Sequence, residues 1–259
     1  MKTKWSRRFF VSQSALTGLA VSAGIPSGNR VEDFVENRAL EKDLIFLFQG
    51  DSITDGNRGR STDPNHIMGH GYAFAIASRI GADFPDRNFA FYNRGISGNK
   101  VTDLQKRWQT DTLDLKPNVL SILIGINDTA ASINKSDEAI PVDEFESRYR
   151  QLLTESKTQN PDTLFVLGLP FVYPVGKRQE NWELWREGTR QRAERVRKLA
   201  TEFDAVLVDY PAVFDKAIRK TPADYWIWDG IHPTVAAHEL MAREWIQRVS
   251  SRLKFLKKY

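Results

Sequence analysis

The sequence predicts an α/β fold, a parallel sheet with helices on both faces, from three observations. Five short apolar runs recur along the chain, stretches with helical spacing separate them, and the runs are nearly continuous in apolar residues rather than alternating. Strands that alternate with helices build a parallel sheet through crossover connections, and those crossovers are right-handed. Unbroken apolar character marks strands buried on both faces.

In chain order, the first run is Leu44-Ile45-Phe46-Leu47. It breaks into Phe48-Gln49-Gly50-Asp51-Ser52-Ile53-Thr54-Asp55-Gly56, a tight turn that puts a hydroxyl at its tip. Helical spacing follows over 71–83, then a strand at Phe89 to Tyr92. The turn Asn93-Arg94-Gly95-Ile96-Ser97-Gly98-Asn99 leads to a helix over 101–114. A third strand, Val119 to Ile124, ends in Gly125-Ile126-Asn127-Asp128. A helix over 142–158, a strand at Leu164 to Leu169, a helix over 182–203 and a strand at Ala205 to Val208 come next. An amphipathic stretch over 233–255 closes the chain, with Pro233 at the position where helices begin. No internal repeat, low-complexity tract or dividing linker is visible.

At 259 residues the chain suits one α/β domain with a real core. The 41% hydrophobic and 27% charged content is that of a globular protein. Cysteine is absent, which excludes disulfides, thiolate catalysis and cysteine-ligated zinc. The first 25 residues read as a targeting segment. Lys2, Lys4, Arg7 and Arg8 form a basic start, Ala15 to Ile25 is small and apolar, and Val21-Ser22-Ala23 offers a cleavage pattern. Ser6-Arg7-Arg8-Phe9-Phe10 is similar to the twin-arginine export motif, so the expected location is periplasmic or secreted. The apolar run is far short of the roughly 20 residues that span a bilayer, and no cysteine follows it to carry a lipid. The expected organisation is a signal peptide over 1–25, an extension over 26–42 and the domain over 43–259. Residues 1–23 carry four basic side chains and no acidic one, so removing them takes the formal charge from +4 to neutral. A neutral domain has no electrostatic footprint for nucleic acid.

A serine hydroxyl is a weak nucleophile until a base takes its proton. Ser52 sits where open α/β sheets bind ligands, at the carboxyl end of a strand. Of the four histidines, His232 lies in Trp228-Asp229-Gly230-Ile231-His232-Pro233, on the loop entering the last helix. Asp229, three residues earlier, is spaced to turn back on one ring nitrogen and leave the other for Ser52. Gly98 can present a backbone N–H and Asn127 a side-chain amide to a developing oxyanion. His66 and His70 read as loop residues and His238 as structural, with no carboxylate pattern for a metal. Asp51 either orients the nucleophile loop or is a simple turn aspartate. Trp228 either lines the site around Ser52 or packs in the core. Trp182, Trp185, Tyr225 and Trp226 divide between a binding groove and the core. Arg190, Arg192, Arg195, Arg197 and Lys198 read as a solvated helix face.

Together these motifs resemble the SGNH, or GDSL-type, hydrolase family over roughly residues 43 to 250. Gly50-Asp51-Ser52 matches its first block, Gly98 its second, Asn127 its third, and Asp229 with His232 its last. Thr54 stands where the Gly-x-Ser-x-Gly elbow of α/β-hydrolases would need a glycine. The resemblance implies a three-layer, flavodoxin-like α/β/α sandwich on a five-stranded parallel sheet. It also implies a Ser52–His232–Asp229 triad, an oxyanion hole from Ser52, Gly98 and Asn127, substrate contacts at Asp51 and Trp228, and no metal or other cofactor. The segments around Asn93 to Asn99, Asp103-Leu104, Arg107-Trp108, Ile124 to Asp128 and Trp228 to Pro233 are most similar to the acetylxylan-esterase branch. The implied partner is an acetylated polysaccharide or oligosaccharide, with no membrane span; homo-oligomerisation is left open. The alternatives are a lipid or thioester hydrolase on the same fold and a non-catalytic sugar-binding module.

Overall fold

A computed structural model describes residues 42–61 and 63–259. The expected signal peptide, and the expected extension apart from Lys42, lie outside the described residues.

The chain alternates strand and helix: β1 (Ile45–Gly50), α1 (Ser52–Asp55), α2 (Tyr72–Asp83), β2 (Ala90–Asn93), α3 (Val101–Asp111), β3 (Val119–Leu123), α4 (Ile126–Ile133), α5 (Val142–Gln159), β4 (Leu164–Gly168), α6 (Trp182–Glu202), β5 (Val206–Val208), α7 (Tyr210–Ile218), α8 (Ala223–Trp226) and α9 (Val235–Val249). The strands form one sheet in the order β2-β1-β3-β4-β5, every neighbouring pair parallel. This is the expected five-stranded, doubly wound arrangement.

Side-chain alternation along the strands sorts the core into two layers. On one face Phe46, Phe48, Val166 and Val208 meet Tyr72 and Ile76 of α2, Phe214 of α7, and Met241 and Trp245 of α9. On the other, Leu47, Leu120, Ile122, Phe165 and Leu167 meet Leu104 and Trp108 of α3, Tyr149 and Leu152 of α5, and Val196 of α6. The one polar side chain that β3 turns to the first face, Ser121, accepts a hydrogen bond from Trp245 Nε1 at 3.0 Å, so neither buried polar group is left unpaired.

Four departures from the sequence reading have local causes. The helix expected over 101–114 ends at Asp111, because Gln49 Nε2 donates to Asp111 O and to Thr112 Oγ1 and so closes the helix end. The last helix begins two residues later than expected. Thr234 caps it through Ala237 N, while Pro233 stays outside and bridges Ile227. It also ends earlier, and Lys254–Lys258 form a separate 3₁₀ turn around buried Leu256. Finally, α6 is not uniformly solvated on its basic side. Arg190, Arg195 and Arg197 pair with Glu187, Asp143 and Asp209, and Lys198 reaches the buried Glu146, but Arg192 is itself 2% exposed and donates to Gly188 O and Ser132 Oγ.

Candidate active site

The register of the sheet sets the site. Gly50 at the end of β1 pairs with Leu123 at the end of β3, so the two chains leave the sheet side by side and carry Ser52 and Asn127 to the same rim. Gly50 is required by crowding: a Cβ there would lie 2.4 Å from Leu123 O. Asp51 then caps α1, its Oδ1 accepting from Ile53 N at 3.0 Å. The cap presents Ser52 at the first position of the short helix, half-buried.

Ser52 Oγ lies 2.9 Å from His232 Nε2. His232 Nδ1 lies 2.7 Å from Asp229 Oδ2. The other oxygen of Asp229 accepts from the backbone N–H groups of Ile231 and His232 at 3.0 and 2.7 Å. Burial opposes the charge on Asp229, but these hydrogen bonds outweigh it and hold the carboxyl below its ordinary range. An ionised Asp229 accepts from Nδ1–H, which leaves the Nε2 lone pair directed at the hydroxyl of Ser52. The loop that carries the pair is braced: Tyr173 N donates to Gly230 O, Trp228 N to His232 O and Thr234 N to Trp226 O.

Gly98 lies on the exposed loop after β2 with φ +84°, and its N–H has no acceptor among the described residues. Asn127, in the first turn of α4, donates from Nδ2 to Asn99 O at 3.1 Å. That bond uses one amide hydrogen and orients the other. The structure therefore brings Ser52, Asp229 and His232 into one hydrogen-bonded chain and ties Asn127 to the loop that holds Gly98.

One expectation needs revision, and one alternative drops out. Asp51 does not face substrate: it is 1% exposed, and its work is the cap on Ile53. Burial, with Asp128 nearby, pushes its carboxyl up to about 7. Trp228 is not in the core; it is 63% exposed, with its ring stacked on His232 at 6.2 Å and 27°. Of the other aromatics, Trp185 is buried, Trp182 and Trp226 are half-buried and Tyr225 is exposed. His66 and His70 are exposed, while His238 is buried and accepts from Tyr72 N through Nδ1.

Two struts escaped the sequence reading. Buried Asn93 donates to the carbonyls of Thr54, Asp55 and Met68 and accepts from Gly95 N. Buried Asp55 accepts from Ser97 N at 3.0 Å and is held by Arg60 at 2.7 Å. Both are polar residues inside otherwise apolar or glycine-rich segments, the only signal the sequence carries for them.

Residues 48–240 match the GDSL-like Lipase/Acylhydrolase family. An acetylxylan esterase of Geobacillus stearothermophilus is 31% identical over 209 residues, 79% of this chain and 93% of the relative. A lipoprotein of Bacillus subtilis, YqeF, is 30% identical over 90 residues, 35% of this chain and 37% of its own. Among solved structures, a GDSL-like lipase from Parabacteroides merdae superposes with a TM-score of 0.77 at 37% identity, covering 81% of this chain and 97% of that one. Axe2, an acetylxylan esterase from Geobacillus stearothermophilus, superposes with a TM-score of 0.70 at 31% identity, covering 80% and 94%.

Proposed function

Because the chain belongs to the GDSL-like lipase/acylhydrolase family, we propose that it is a serine esterase that removes O-acetyl groups from carbohydrate through an acyl-enzyme. The observation that carries the reading is the 2.9 Å approach of Ser52 Oγ to an imidazole braced by Asp229. The acetylxylan esterase relative, matched over 93% of its length, supports a carboxylic ester hydrolase. The exposed Trp228 ring beside His232 supports a sugar in the acyl-bearing position.

Ser52 Oγ attacks the acetyl carbonyl carbon while its proton passes to His232 Nε2. The carbonyl oxygen becomes an oxyanion held by the N–H groups of Ser52 and Gly98 and by the Asn127 amide. Collapse breaks the bond to the sugar oxygen, which takes the proton from Nε2 and leaves as the free hydroxyl. Water then attacks the acetyl-Ser52 carbonyl and gives a proton to Nε2. Acetate departs and Ser52 Oγ recovers that proton. Asp229 stays ionised, fixes the tautomer and stabilises the imidazolium.

The test is acetate release from acetylated xylan, pectin, peptidoglycan and simple sugar acetates, run beside Ser52→Ala. Acetate from at least one carbohydrate, lost in the variant, is the expected result. A clear preference for octanoyl over acetyl esters would instead make the protein a lipid-ester hydrolase.

Export belongs to the same proposal. The basic and apolar pattern of residues 1–25 supports it, as does the lipoprotein relative. No helix among the described residues is long and apolar enough to cross a membrane. Replacing both Arg7 and Arg8 by lysine should leave the protein in the cytoplasm of a host with twin-arginine export.

A further inference from the structure

A second group of charged side chains stands on the same rim as Ser52, one strand over. A cavity of about 230 Å³ lies between the loop that leaves α1 and the end of β2, lined by Arg58, Gly59, Arg60, Ser61, Ile67, Tyr92, Asn93 and Arg94. Three arginines thus border a space smaller than the roughly 300 Å³ at which pockets for drug-sized ligands begin. It suits one sugar ring or one charged substituent.

The three guanidinium groups differ in how they are satisfied. Arg60 forks onto both oxygens of Asp55. Arg107, outside the cavity lining, donates from Nε to Asn99 and from Nη1 to Gln49 and Asp111. The Arg58 guanidinium makes a single hydrogen bond, from Nε to Gly95 O at 3.0 Å, which fixes the side chain and leaves its terminal nitrogens without an acceptor among the described residues. The Arg94 guanidinium makes none: its Nε is buried without a partner, and the group lies 5.8 Å from the Tyr92 ring centroid. No carboxylate lies within ion-pair distance of either Arg58 or Arg94 among the described residues. Burial, reinforced by the neighbouring Arg60 and Arg94 and only partly offset by the more distant carboxylates of Asp55 and Asp111, pushes Arg58 down to about 10. A pair of half-buried like charges without a direct ion-pair partner is unfavourable and is relieved by an anion. Planar guanidinium groups suit a carboxylate in particular, because each offers two parallel donors.

We infer that Arg58 and Arg94 form an anion subsite that receives the carboxylate of an acidic sugar in the acetylated substrate. The inference rests on the carbohydrate-esterase reading and narrows it to chains that carry uronic acid residues. The two loops that wall the cavity are those that carry Ser52 and Gly98. Asp55 joins them through Ser97 N, so an acid held there sits in a fixed relation to the site of acyl transfer.

The experiment compares acetylated xylo-oligosaccharides bearing a glucuronic acid side group with the same oligosaccharides after the carboxyl is reduced to an alcohol. For wild type, kcat/KM should favour the acid by about tenfold or more, as expected for a charge-assisted contact, with the gain in KM. Arg94→Gln should bring the acid-to-neutral ratio close to one. Because each variant is read as a ratio, changes in overall activity cancel. In wild type, 0.5 M salt should also shrink the ratio, a readout that needs no variant. Equal kcat/KM on both wild-type substrates, or a preference that Arg94→Gln leaves intact, overturns the subsite. If neither sugar is turned over while 4-nitrophenyl acetate is, the carbohydrate reading falls and the subsite with it. Turnover of both at equal rates removes the subsite alone.

Discussion

Asp55 Oδ2 accepts the backbone N–H of Ser97 at 3.0 Å and so fastens the turn that carries Ser52 to the loop that carries Gly98. Arg60 grips the same carboxylate, and Ser97 Oγ adds a third contact. The proposed nucleophile and one proposed oxyanion donor come from different strands, and this carboxylate ties the two segments together.

Asp55→Asn removes the charge that Arg60 and Ser97 share. Small misplacements at a reacting centre cost on the order of 10²-fold. We expect kcat on 4-nitrophenyl acetate to fall by about 10- to 100-fold with KM within about threefold. A change confined to KM would mean that the link serves substrate binding instead.

Asn127→Ala deletes a side-chain donor at the proposed oxyanion position. Its loss should lower kcat by roughly 10²–10³-fold with little change in KM, the usual effect of removing one such donor. A wild-type rate would remove Asn127 from the mechanism.

Asp51 gives a pH signature. Its carboxyl is raised from 3.8 to about 7, first by burial and then by Asp128. Between roughly pH 4 and 7 the native state therefore keeps a proton that the unfolded chain has released, so this group lowers stability as pH rises through that window. Asp51→Asn keeps the oxygen that caps Ile53 and cannot ionise. The variant's Tm relative to wild type should thus be more favourable at pH 8 than at pH 5, by thermal unfolding at both. A pH-independent difference would show that the buried carboxyl titrates normally.

Trp228→Ala removes an exposed aromatic ring stacked on His232. If that ring holds sugar, KM for an acetylated oligosaccharide should rise about 5- to 30-fold, the 1–2 kcal/mol range of a lost aromatic contact. KM for 4-nitrophenyl acetate should move far less. Equal changes on both substrates would place Trp228 in the support of His232.

Much of this was legible because the chemistry sits at strand ends. The apolar runs fix β1 through β5 to within a few residues, and the turns Gly50 to Gly56, Asn93 to Asn99 and Gly125 to Asp128 follow directly from them. The short helices were not legible: α1 and α8 span four residues each, too few for a 3.6-residue period to register. The start of α7 did carry a signal, since Asp209 caps it and Pro211 follows in the first turn, but the short β5 before it obscured the boundary. Burial of polar residues was the least legible. Asp51, Asp55, Asn93 and Arg192 have the composition of loop or surface residues. Only the packing of distant segments reveals that they are enclosed and hydrogen-bonded.

The loop after β2 has one property that separates two kinds of constraint. A Cβ built on Gly98 meets no heavy atom within 4 Å, yet its φ is +84°. What is demanded there is handedness, not room. A semisynthetic protein with D-alanine at this position should keep the N–H aimed where it is, whereas Gly98→Ala, its mirror counterpart, must twist the backbone away. Chirality at a single carbon would then set how fast the ester is cut.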